Sequence, residues 1–190
     1  MPRKTNKKQK PGKHQPFAHR GGGLILLGLI LWLIFGFWRL FQLNILSFSG
    51  KIDAQTPAGT AAVAIDIPRV NLHLPVIEAT VTDGSWEISP DGASHWDNSA
   101  NPGGGGNIVI YAHNKTNLFG PIRWLNRGDE IVLTDAEGQQ HRYHITETVT
   151  VSPKQIDYIL PKTEEVLTLY TCTGLFDKDR YLVIAQPAAD

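Results

Sequence analysis

One cysteine among 190 residues excludes an intramolecular disulfide and a cysteine-rich zinc site. No glycine run is followed by Gly-Lys-Ser or Gly-Lys-Thr, so Gly103–Gly106 is read as a flexible turn rather than a phosphate cradle. Aspartate and glutamate are scattered, with no EF-hand spacing. No internal repeat is present. Acid is missing altogether from the first 20 residues, which hold Arg3, Lys4, Lys7, Lys8, Lys10, Lys13 and Arg20. Those seven leave 11 basic residues against 18 acids in positions 21–190, a balance of −7 behind a formal net charge of zero. An acidic main body argues against nucleic-acid binding. With 42% apolar and 19% charged residues, wholesale disorder is also excluded.

What the sequence does contain begins with a long apolar run, Gly21–Phe41, in which Arg39 is the single charge. As a helix it would be ~31 Å long at ~1.5 Å per residue, matching a bilayer core of ~30 Å. Trp32 and Trp38 suit an interfacial belt, and Arg39 can snorkel. The rival reading is a cleaved signal peptide, with Leu24–Trp38 as its apolar core. No clear A-x-A site follows; Ser47-Phe48-Ser49 is the nearest weak candidate, and no lipobox exists. The reading adopted is therefore a retained transmembrane helix over 21–41. Residues 1–20 form a basic cytoplasmic tail that can rest on anionic lipid, residues 42–61 a linker, and residues 62–190 an extracytoplasmic domain.

That domain reads as short strands separated by turns. Strands are predicted at Val63–Ile67, Leu72–Ile77, Asn107–His113, Glu130–Thr134, Gln140–Val151, Val166–Thr171 and Tyr181–Ala185. Asp83-Gly84, Pro90-Asp91-Gly92, Arg127-Gly128-Asp129 and Glu137-Gly138 punctuate them. Helical turns are predicted near Pro121–Leu125 and Pro153–Leu160. The fold class is all-β, a small barrel or sandwich.

Cys172 stands at a strand end, in Tyr170-Thr171-Cys172-Thr173-Gly174. A lone thiol outside the cytoplasm is an oxidation liability, which favours a catalytic role over a buried hydrophobe. A symmetric hairpin across Thr173–Asp179 would set Arg180 opposite Cys172, on the same face. A guanidinium there can stabilise a thiolate or an oxyanion; the plainer reading pairs Arg180 with Asp177 or Asp179. Thiol catalysis also needs a proton donor for a leaving amine. His14 and His19 lie in the basic tail, His73 sits inside a strand, and His141 and His144 face opposite ways. His95 and His113 remain, and His113 ends the strong strand Ile108-Val109-Ile110-Tyr111-Ala112-His113. Asn114-Lys115-Thr116 matches a glycosylation sequon and is read as accidental.

Taken in order, Ala112-His113-Asn114, Thr168-Leu169-Tyr170-Thr171-Cys172 and Arg180-Tyr181-Leu182-Val183 resemble the sortases, membrane-anchored cysteine transpeptidases mainly of Gram-positive bacteria. Pro68-Arg69-Val70, Leu74-Pro75-Val76 and Pro102 to Ile110 also look like early segments of that family. Ala112 stands where the family usually has glycine. The resemblance covers about residues 62–187. It implies a closed eight-stranded β-barrel with a groove. It also implies that Cys172 attacks the Thr–Gly carbonyl of an LPXTG-like sorting signal to form a thioester. In that scheme His113 moves the amine proton, Arg180 holds the substrate backbone or oxyanion, and Thr171 contributes a substrate contact. The loop Ser152–Glu165 would wall the groove.

The implied partners are proteins bearing a C-terminal LPXTG-like signal, an amine acceptor such as a cell-wall peptide or a pilin lysine, and membrane lipid. No cofactor or metal is implied, and calcium, which activates some relatives, has no placeable site here. The Cys172–Arg180 loop is short and Ile52–Ala62 has no aromatic lid motif, which leans toward a housekeeping-like or accessory subclass. An L,D-transpeptidase is disfavoured because its Ser-x-Gly-Cys-x-Arg arrangement is absent. A membrane-tethered binding or scaffold domain without catalysis is the alternative from another class. Reference pKa values leave about 3% of thiols and about a quarter of imidazoles charged at pH 7. Independent groups would thus form the thiolate–imidazolium pair in about 1% of molecules or fewer.

Overall fold

A computed structural model describes residues 21–42, 58–82 and 85–189. The basic tail 1–20 and most of the expected linker, 43–57, lie outside the described residues. Two units are distinguished, 1–43 and 44–190.

The first unit contributes α1, Gly21–Gln42. Its side chains are described over 25–37, where Ile25, Leu26, Leu27, Leu29, Leu31, Trp32, Phe35 and Phe37 are all exposed. Among the described residues no helix is long and apolar enough to cross a membrane.

The second unit is built on ten strands. They are β1 Ala62–Ile67, β2 Leu72–Ala79, β3 Val81–Thr82, β4 Ser85–Trp86, β5 Ala93–Trp96, β6 Asn107–Tyr111, β7 Glu130–Asp135, β8 Gln140–Val151, β9 Val166–Thr173 and β10 Asp179–Pro187. Eight close into a barrel in the order β1-β2-β5-β6-β9-β10-β8-β7, and β3-β4 form a separate small hairpin. All seven predicted strands are present. The prediction missed β5, whose four residues are all buried and so show no alternation. The hairpin strands are two residues long, too short for any period. The expected strand through His113 stops at Tyr111, because the amides of Lys115 and Phe119 turn back onto the His113 carbonyl. Ala58 and Gly59, expected in the linker, already accept hydrogen bonds from Asn101.

Alternation sorts the side chains into two apolar clusters. One draws on all eight barrel strands, with Ile65, Leu74, Ile108, Ile110, Leu133, Tyr143, Leu167, Leu169 and Val183 filling the interior. The other lies on the opposite face of β6, β9 and β10, where Val109, Tyr111, Tyr170, Cys172 and Leu182 meet Trp86, Trp96, Val151 and Ile159. Rings dominate this outer cluster. Tyr111 and Tyr170 stack at 5.2 Å, and Trp86 stands edge-on to them at 5.2 and 5.8 Å. Buried aromatic pairs of this geometry add ~0.5–1.5 kcal/mol each beyond area burial. Trp86 thereby seats the β3–β4 hairpin on the face that carries Cys172.

Parallel pairs are the barrel's unusual element. β2 pairs with β5 in parallel, and β6 with β9, with Tyr111 opposite Tyr170. His95 fastens the first pair from inside: Nδ1 meets Glu78 Oε1 at 2.8 Å and Nε2 meets the Ala100 carbonyl at 2.9 Å. Fully buried and held on both sides, His95 is a structural residue.

Replacing Trp86 by alanine should cost about 3 kcal/mol, at the low end for a buried tryptophan because the hairpin is peripheral. Urea unfolding measures it. A loss below about 0.5 kcal/mol would show that the hairpin is not seated by this ring.

Candidate active site

Three segments converge at one end of the barrel. β6 and β9 run parallel, so their C-terminal ends share a rim: β6 leads into Ala112-His113, and β9 ends in Thr171-Cys172-Thr173. β10 starts from the same rim and runs antiparallel to β9, with Arg180 directly opposite Cys172. The hairpin register expected from the sequence is therefore the one observed. Directly opposed residues share a face with Cβ atoms about 4.5–5.5 Å apart.

Thr171 points the other way. It is fully buried, and its hydroxyl donates to the Ala112 carbonyl at 2.8 Å. The Ala112 amide reaches the Tyr170 carbonyl at 3.4 Å. Thr171, expected to contact substrate, has its hydroxyl committed within the protein, where it ties the segment before His113 to the strand bearing Cys172. A side chain after His113 adds a second brace. Arg123 donates through Nε to the Gly120 carbonyl at 2.9 Å and through Nη2 to Asn114 Oδ1. The direction of Thr171 follows from strand alternation once Cys172 faces the rim, whereas the Arg123 brace carries no sequence pattern of its own.

The turn joining β9 to β10 is strained. Gly174 has φ 80°, and Phe176 and Asp177 also take left-handed backbone at 58° and 55°. Consecutive left-handed non-glycine residues cost of order 1–3 kcal/mol each. The Arg180 guanidinium holds this turn, donating from Nη1 to the carbonyls of Asp177 and Asp179 at 3.0 and 3.1 Å. The plainer expectation has an exposed Arg180 paired with Asp177 or Asp179; the residue is instead buried, and the backbone oxygens of these two residues accept from it. Leu175 and Phe176 project into solvent from the same turn.

Electrostatics at the rim favour neutral groups. Burial pushes the Cys172 thiol up to about 12; Arg180 pulls it down and Asp177 pushes it up. The thiol side chain is 1% exposed. His113 is lowered, first by burial and then by Lys115, with Asp177 opposing. Thiolate and imidazolium are both disfavoured in this state, and Asp177 acts on both groups.

The glycine run has an intramolecular partner. Gly103 and Gly105 amides donate to the two carboxylate oxygens of Glu165 at 3.3 and 3.0 Å, and Tyr143 donates its hydroxyl at 2.7 Å. A Cβ on Gly104 would come within 2.1 Å of the Ala58 carbonyl oxygen. The turn anchors the end of the 152–165 segment. Among the described residues, no three or more His, Cys, Asp or Glu side chains stand together where they could hold a metal ion.

Comparison with known proteins agrees with this geometry. The Sortase domain family matches residues 65–188. Sortase A of Bacillus anthracis is 29% identical over 149 residues, covering 72% of this chain and 68% of that protein. Sortase D of Bacillus subtilis is 30% identical over 123 residues, covering 64% of this chain and 59% of that protein. Among solved structures, a Clostridium perfringens Sortase D5 transpeptidase is similar, with TM-score 0.59 and 30% identity over 73% of this chain and 83% of that one.

The signs of the shifts yield a test. A raised thiol pKa lowers the thiolate fraction at any given pH, so alkylation of Cys172 by iodoacetamide should still be climbing at about pH 10. Asp177→Asn removes a charge that raises the thiol pKa, and should speed alkylation several-fold at about pH 8. A plateau below about pH 9, or slower alkylation in the variant, would contradict this electrostatic picture.

Proposed function

This chain belongs to the sortase family of transpeptidases, and from that premise we propose that it cleaves an LPXTG-like sorting signal through a thioester on Cys172 and passes the acyl group to an amine. The observation that supports this most is the convergence of Cys172, Arg180 and the His113 segment on one rim, with Cys172 and Arg180 in direct cross-strand register.

In this scheme Cys172 Sγ attacks the carbonyl carbon of the Thr–Gly bond. The carbonyl oxygen takes up negative charge, and Arg180 is the adjacent cation that can stabilise it. Collapse breaks the C–N bond, and His113 gives the departing amine its proton. An incoming amine then attacks the thioester, His113 accepts its proton, and the thiol leaves. Every group in this sequence comes from the protein and its two substrates. Burial disfavours the charged form of both partners, so this scheme has the thiol proton pass to His113 as Sγ attacks. The remaining substrate assignment, a protein with a C-terminal signal and a cell-wall peptide or pilin lysine as acceptor, follows the family.

The proposed setting is the cell surface. The exposed apolar face of α1 suits lipid better than water, and the basic stretch before it suits the cytoplasmic side. A single-pass anchor over 21–41, with the barrel outside, is therefore part of this reading.

One observation favours the alternative of a tethered binding domain: the thiol is buried and strongly neutral. Intact-mass measurement decides between them. The full chain in mild detergent, incubated with a panel of LPXTG-like peptides, should gain the mass of a peptide's N-terminal fragment. Cys172→Ala should gain none, and Arg180→Ala should form the adduct at least about a hundredfold more slowly. Absence of any adduct, together with a thiol unreactive to alkylation, would establish the binding domain instead.

A further inference from the structure

The segment between β8 and β9, residues 152–165, lies beside the thiol. Its Ile159 is fully buried in the same cluster as Cys172, Tyr170, Val151 and Leu182, with Ile156 and Tyr158 packed partly against it. This short stretch carries one turn of 3-10 helix, Ile156–Tyr158, and few internal hydrogen bonds. Something must fix its height above the barrel.

Asn107 supplies that fixture. It opens β6 and is fully buried. Its Nδ2 donates to the Tyr158 carbonyl and to the Leu160 carbonyl, both at 2.9 Å. Its Oδ1 accepts from the Thr168 hydroxyl at 2.8 Å, and that hydroxyl also lies 3.3 Å from the Tyr158 carbonyl. Two carbonyls can only accept, so the amide orientation is determined. Aspartate would point an oxygen at two oxygens. An apolar residue would remove the Asn107 donor from the Leu160 carbonyl and leave the Tyr158 carbonyl only its longer contact with the Thr168 hydroxyl. The segment's far end is held separately by Glu165 in the glycine turn.

We propose that Asn107, with Thr168 behind it, is a positioning residue that sets this segment as the wall of the peptide groove. It thereby controls affinity for the apolar residues of the substrate peptide without touching the reacting atoms. This rests on the thioester reading. The wall meets the thiol face through Ile159, an apolar contact, so displacing it should weaken peptide binding while leaving Cys172 and Arg180 on their own strands and His113 in the turn after β6.

The test uses the full chain in mild detergent with the peptide that best acylates the native protein, and the variants Asn107→Asp and Thr168→Val. Asn107→Asp should raise the peptide concentration for half-maximal acylation about tenfold, with the maximal rate held within about twofold. Thr168→Val should raise it about threefold in the same manner. Alkylation of Cys172 by iodoacetamide should stay within about twofold in both. Hydrogen exchange should quicken across 153–161 in Asn107→Asp and stay unchanged in β9 and β10. Equal loss of acylation and alkylation, or unchanged half-saturation in a folded variant, would overturn the proposal. If Asn107→Asp does not fold, Thr168→Val decides by the same criteria. A native protein that acylates with no peptide overturns the thioester reading and this one's substrate claim together; exchange at 153–161 still decides separately whether Asn107 holds the wall.

Discussion

The parallel pairing of β6 with β9 is the constraint on which the site depends. Strands that run the same way end at the same rim; β6 stops at Tyr111 and leads into His113, and β9 carries Cys172 one residue before its end. A direct hairpin could not achieve this, because antiparallel neighbours finish at opposite ends. The crossover between them contains β7, β8 and the 152–165 segment, so the same chain that makes the parallel pair possible also supplies the proposed groove wall. Asn107 and Thr168, near the start of the two paired strands, hold that wall down. Thr171, near their end, ties the His113 segment to the strand of the thiol. One sheet contact thus organises His113, Cys172 and the 152–165 segment, the proposed base, nucleophile and wall.

Electrostatics work against the chemistry in this state. A thiol at 1% exposure with a raised pKa and an imidazole with a lowered one each favour the neutral form. Arg180 opposes the thiol's shift, yet its guanidinium also serves the strained turn at Phe176 and Asp177. The same cation therefore links loop geometry to thiol acidity. A rearrangement of that turn alters what Arg180 can offer an oxyanion, and it moves Asp177, which acts on both Cys172 and His113. Strain stored in a loop beside a reacting group is a recurrent feature of functional sites.

Much of this was legible in the sequence where the signal is local. β8 is long and alternating, and its limits were read without error. The Cys172–Arg180 register needed just two flanking strands and a short turn, so spacing sufficed. The eight-stranded closure came from resemblance, not from periodicity. β5 escaped because all four of its residues are buried. The bond from Thr171 to Ala112, the capture of Glu165 by glycine amides and the clasp of Asn107 escaped because each joins residues far apart in the chain, and the nearer brace from Arg123 depends on how the 114–120 loop folds. Strand position favoured His113 over His95, and His95 is indeed buried between Glu78 and the Ala100 carbonyl.

A crystal structure of the protein carrying a substrate-like peptide through a disulfide to Cys172 would test the central claim most directly. The account predicts a peptide lying between the 152–165 wall and the β9–β10 rim, with the His113 imidazole and the Arg180 guanidinium on either side of the modified sulfur. A peptide leaving the thiol in another direction, with the wall uncontacted and His113 turned away, would contradict it.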